Sequence, residues 1–109
     1  MSTPMLARAG GDPVLLAEVI GLFLEDGPLL IETIRQALAD GDHAAVGRAA
    51  HSLTGSAGNF DATAVTALTR SLEGHALARD VPATRETFSQ LETETSQLLI
   101  DLAAMRATL

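Results

Sequence analysis

The chain predicts an all-α fold, an antiparallel up-down four-helix bundle, on three observations. Apolar residues recur at steps of three and four along most of its length, the period of a helix with one buried face. Hydrophobic residues fill 47% of the 109 positions but only three are aromatic, which favours packed aliphatic helices over a sandwich of strands. The breaks between periodic segments are short and carry Gly, Asp and Pro, so successive helices turn back on one another. A chain of this length fits one domain, and no internal repeat, Gly/Ser linker or low-complexity tract divides it.

Residues 1–12, with Pro4 and Gly10-Gly11, read as an N-terminal lead-in or short covering segment, and residues 13–109 as the bundle. The first helix opens near Asp12, with Pro13 in the first turn, where its missing N–H does no harm. Leu16, Ile20, Phe23, Leu30, Ile34 and Ala37 keep one face apolar, and Gly27-Pro28 is expected to kink the helix or split it in two. Gly41 ends it and Asp42 caps the second helix. The third is expected to start at Asp61, as its N-cap, and to run through Val65, Leu68 and Leu72 toward Arg79, with the thinnest apolar face. The fourth follows Asp80, with Pro82 in its first turn. Its Phe88, Leu91, Thr95, Leu98, Leu102, Met105 and Leu109 form a helix-packing seam. A partner chain would fit such a seam, but burial inside the bundle is the preferred reading, because three helices need a fourth face to cover them.

The second helix carries the functional signal. At about 100° per residue, Val46, Ala49, Ala50, Leu53 and Ala57 share a narrow sector suited to burial. His51 projects roughly 140° from the middle of that sector, and its neighbours there are Ala44, Gly47, Arg48, Gly55 and Gly58. A glycine inside a helix costs about 1 kcal/mol relative to alanine, so three of them on one face need an offset. A helix end or a tight helix crossing would supply one, with His51 an ordinary surface histidine. Close approach of a partner to His51 would supply another, and the clustering of glycines on the histidine's own face favours it.

The run His51-Ser52-Leu53-Thr54-Gly55-Ser56-Ala57-Gly58-Asn59-Phe60 resembles the phosphorylation-site segment of histidine phosphotransfer (HPt) domains, His-x-x-Lys-Gly followed by small residues. Asp12-Pro13 before an apolar helix, Leu22-Phe23-Leu24-Glu25-Asp26, the break at Ala39-Asp40-Gly41-Asp42 and a long last helix extend the resemblance over nearly the whole chain. It implies a four-helix bundle carrying a phosphoryl group on His51, accepted from a receiver-domain aspartate or a sensor histidine kinase and passed to a response regulator. It further implies a phosphocarrier rather than an autonomous enzyme, without a cofactor of its own, the partner receiver domain supplying Mg²⁺. Imidazole, with an ordinary pKa near 6.5, offers a neutral nucleophile at neutral pH. On this reading Arg48, Thr54 and Gly55 surround the phosphoryl group, and Ala44, Gly47, Ser52 and Gly58 meet the partner. Two positions depart from the pattern. Thr54 stands where lysine is usual, leaving Arg48, one turn before His51, to supply positive charge; Asp61 stands where glycine is common.

Other chemistries find little support. Seven basic against fourteen acidic residues give a formal charge of −7 with no basic run, which argues against nucleic acid. Zero cysteines exclude a disulfide framework and thiolate metal sites, and fit a reducing cytoplasm. The apolar run after Arg8 is interrupted by Asp12 and Glu18 and is too short to span a bilayer, so a soluble cytoplasmic monomer without membrane insertion is expected. His43 and His51 lie about 12 Å apart along a helix axis, too far to share a metal. Ser52 and Ser56 lack a recognisable base and oxyanion hole. Asp40 with Asp42 and Glu92 with Glu94 read as caps and solvated faces. No phosphate-cradling loop is present, so ATP binding is not expected. The alternative to a carrier is a helical adaptor that binds a receiver domain or kinase without carrying phosphate, for which Thr54 is the best argument. A plain structural bundle would leave the glycine cluster unexplained.

Overall fold

The computed structural model describes residues 10–109, and every regular element among them is helical. The helices are α1 (Pro13–Asp40), α2 (His43–Ala57), α3 (Thr63–Leu77) and α4 (Val81–Ala107), with a 3-10 turn, Gly58–Phe60, between α2 and α3. Each packs on its chain neighbours and α4 closes back on α1. The expected lead-in falls outside the described residues over 1–9. Gly10 and Gly11 have positive φ, and Asp12 is the cap of α1.

Local chemistry sets most helix ends. The Asp12 carboxylate accepts from the N–H groups of Val14 (2.9 Å) and Leu15 (3.3 Å), two of the donors that the first turn leaves without partners. At the other end Gly41, at φ 69°, takes the left-handed conformation, and Asp42 N–H returns to the Ala37 carbonyl at 2.9 Å. The same Asp42 then caps α2 by accepting from Ala45 N–H at 3.0 Å. The turn from α3 to α4 repeats this plan. Arg79 is left-handed at φ 57°, Asp80 N–H returns to the His75 carbonyl at 3.0 Å, and the Asp80 side chain accepts from Ala83 N–H at 3.1 Å.

One of the two alternatives expected at Gly27-Pro28, a split, and the expected cap of α3 need correction. α1 is not split at Gly27-Pro28; it runs unbroken, with Pro28 facing solvent and Gly27 buried against α4. A Cβ on Gly27 would lie 3.3 Å from the Phe23 ring, one turn earlier on the same helix, and 3.5 Å from Leu99 of α4, so this glycine makes room for the Phe23 ring rather than marking a break. Nor is Asp61 the N-cap of α3. That position falls to Ala62, which makes no side-chain cap bond, and Asp61 stands left-handed at φ 52° one residue earlier. Asp is among the few residues other than glycine that visit this conformation routinely, which is why it can replace the glycine common there.

The core runs the length of the bundle. From α1 it takes Leu16, Ile20, Phe23, Ile31, Ile34 and Ala37, while all five residues of the α2 stripe are buried. Phe60, in the 3-10 turn, meets Phe23 edge to face with centroids 5.3 Å apart, tying the α2–α3 connection to α1. Of the α4 seam, Phe88, Leu91, Thr95 and Leu102 are buried, whereas Leu98, Met105 and Leu109 pack at its margin. Leu30 and Leu68 are likewise only partly buried.

Candidate functional site

With its apolar stripe against the core, α2 turns His51 outward, the side chain 80% exposed. Antiparallel packing brings α3 alongside, and Nδ1 of His51 lies 3.1 Å from Oε1 of Glu73. A carboxylate can only accept in such a bond, so Nδ1 carries the proton. In the neutral ring the lone pair is then on Nε2, the nitrogen left open to an incoming group. Glu73 was not visible as a site residue in the sequence, because its relation to His51 exists only through the crossing of two helices.

His51 stands over an open groove of about 790 Å³ between α2 and α3. His43, Ala44, Gly47, Arg48, His51 and Ser52 line it from α2, and Glu73, Gly74, Ala76 and Leu77 from α3, with Arg79 at the end. The structure thus gathers Ala44, Gly47, Arg48 and Ser52 around His51. Gly55, further along α2, and Gly58, just past its end, lie outside the groove's lining. Leu77 is 88% exposed, an apolar side chain left uncovered at the groove.

The glycines have no internal reason to be glycine. A Cβ built at Gly47, Gly55, Gly58 or Gly74 would meet nothing within 4 Å, and none of the four has a positive φ. A tight helix crossing therefore does not explain them. Gly58 does mark the end of α2, where the chain passes into the 3-10 turn. Gly74 extends the small-residue surface onto α3. The cue available in sequence was a helix-interior Gly74 beside Leu77, a leucine off the Val65, Leu72 and Ala76 stripe.

Thr54 is turned away from the opening. Its hydroxyl bonds the Ala50 carbonyl at 3.0 Å and the hydroxyl of buried Thr69, which in turn bonds the Thr66 carbonyl. This polar contact ties α2 to α3 one turn after His51. Among the described residues no group of three or more His, Cys, Asp or Glu is arranged to hold a metal ion, and no helix is long and apolar enough to cross a membrane.

A nucleophilic imidazole held by a carboxylate, standing over a groove floored by small residues, is equipped to take a transferable group from a partner whose surface comes close. The family model described as Hpt domain matches residues 18–104, most of the chain and all of this surface. No curated protein and no solved structure gives a significant match.

Proposed function

The chain belongs to the Hpt domain family, with the role in phosphorelays that this family has, and on that premise we propose that His51 is its phosphoryl-carrying residue. The lone pair of Nε2 attacks the phosphorus of an aspartyl phosphate on a receiver domain. The N–P bond forms as the bond from phosphorus to the carboxylate oxygen breaks, and the carboxylate leaves with that electron pair. The reverse steps pass the group to a response regulator; a sensor histidine kinase is the other candidate donor. Such transfer is mostly positioning and charge stabilisation. The receiver supplies Mg²⁺ and the acidic pocket, while this chain supplies the ring, its orientation and a surface smooth enough to dock. It works as a carrier without a cofactor of its own, as a monomer, and in the cytoplasm, the compartment its cysteine-free composition suits.

The observation that carries this reading is the Nδ1 bond to Glu73 beside glycines that nothing in the chain requires. Glu73 holds the ring through Nδ1 and leaves Nε2 free to attack in the empty form and to bear the phosphoryl group in the loaded one. Arg48, exposed and in the groove lining, is the cation that stands in for the missing lysine. Arg48→Ala is expected to slow uptake more than Arg106→Ala, an exposed arginine near the end of α4 that lies outside the groove; equal effects would remove Arg48 from the phosphoryl environment. Thr54 serves by holding α2 against α3.

The adaptor reading draws on one observation, that Thr54 presents no cation to the opening. Incubation with a phosphorylated receiver domain and Mg²⁺, following acid-labile and base-stable phosphate onto wild type and His51→Gln, separates the two. Label on wild type alone is the expected result. Binding without label, across several competent receivers, would overturn the carrier and leave the adaptor.

A further inference from the structure

Away from the groove, α1 carries a second regular surface. Leu15, Leu22 and Leu29 recur at sevens, and each is followed three residues on by a glutamate, Glu18, Glu25 and Glu32. Because α1 is continuous through all six positions, the leucines form one row about 21 Å long with the glutamates in a parallel row beside it. All six side chains are exposed, Leu22 at 61% and Leu29 at 66%. The bundle does not cover this row, since the core-facing residues of α1, such as Leu16, Ile20 and Phe23, lie about 130° around the helix. Single exposed leucines need no explanation. Three at heptad spacing with a charged flank have the form of a surface that another helix packs against.

We propose that this row docks an amphipathic helix of a partner protein whose apolar seam is flanked by lysine or arginine. Charge selects the occupant. Among the described residues the ion pairs are Arg35 with Glu32 and Glu92, and His51 with Glu73, so Glu18 and Glu25 offer their charge outward. A second copy of this chain is a poor occupant, because two antiparallel copies set one glutamate row against the other and each brings a formal charge of −7. No residue of α1 lines the groove under His51. A helix on this row therefore leaves His51 open, and the surface does not depend on the carrier reading.

The test uses a three-heptad synthetic peptide with leucine seams flanked by lysine, and its glutamate-flanked counterpart, titrated against the full chain by fluorescence anisotropy. The lysine-flanked peptide is expected to bind saturably, and the Leu22→Ser/Leu29→Ser double variant to weaken it about tenfold or more with helicity by circular dichroism unchanged. Glu18→Gln/Glu25→Gln is expected to weaken binding and flatten its salt dependence. No saturable binding, equal binding of the glutamate-flanked peptide, or full retention in the leucine variant would overturn the proposal. So would self-association of the full chain that the leucine variant abolishes, which would give the row to a second copy.

Discussion

Glu73 touches His51 through Nδ1, so on the proposed mechanism, with Nε2 as the reacting nitrogen, its effect is on the tautomer and orientation that an incoming phosphoryl group meets. Glu73→Ala is expected to slow phosphoryl acceptance by about tenfold, the worth of about 1.4 kcal/mol. A larger effect is not expected, because the bond is exposed and water competes for it. Glu73→Gln discriminates orientation from charge. Its amide oxygen can still accept from Nδ1, so a rate near wild type would make the bond's geometry the cause, and a rate near Glu73→Ala its charge. Stopped-flow transfer from a phosphorylated receiver reads both.

Arg79 presents a second question at this scale. Its left-handed φ of 57° occupies the position that Gly41 holds in the equivalent turn, and a non-glycine residue there costs about 1–2 kcal/mol. Arg79→Gly is therefore expected to raise stability by about 1 kcal/mol in urea unfolding. Backbone strain kept at the edge of a functional groove suggests a use for the side chain, and the same variant is expected to weaken receiver docking. Greater stability with unchanged docking would leave the arginine without a role there.

Among the elements, α2 is where folding and the proposed function conflict most directly. Gly47 and Gly55 weaken it, and their absent Cβ atoms would meet nothing in the bundle. Gly47→Ala and Gly55→Ala are each expected to stabilise the fold by about 1 kcal/mol, a rise of a few degrees in Tm, while slowing transfer from a receiver. Thermal unfolding and transfer measured on the same samples check the pair of effects; a stabilised variant with undiminished transfer would break the link to docking. What was legible in sequence follows the same division. The α2 stripe and the Gly41-Asp42 stop and start were readable, because periodicity and capping are local. The N-cap of α3 was misplaced by one residue because an aspartate suits both an N-cap and a left-handed turn. At Gly27-Pro28 the local breaker signal lost to packing against Phe23 and Leu99. Glu73, Gly74 and Arg79 were missed for another reason: only the antiparallel crossing of α2 and α3 brings them to His51.

Across the whole molecule, the core is aliphatic except for Phe23, Phe60, Phe88 and four buried threonines. Thr69 bonds the Thr66 carbonyl and Thr84 the Asp80 carbonyl, so these hydroxyls are satisfied within or at the ends of their helices. Thr95 differs. Its residue is 1% exposed, in the middle of the α4 seam, and its Oγ1 has no hydrogen-bond partner. A buried hydroxyl in that state costs about 1–3 kcal/mol, and valine matches threonine closely in shape. Thr95→Val is expected to stabilise the bundle by about 1 kcal/mol or more, seen as a higher urea midpoint with an unchanged slope. α4 is the helix that closes the bundle against α1 and α3, so the gain bears on cohesion of the whole and leaves the α2–α3 groove as it is. Transfer to His51 is accordingly expected to proceed at the wild-type rate. A destabilised Thr95→Val would mean that the hydroxyl finds a partner in solution, with a water held inside the bundle the first place to look.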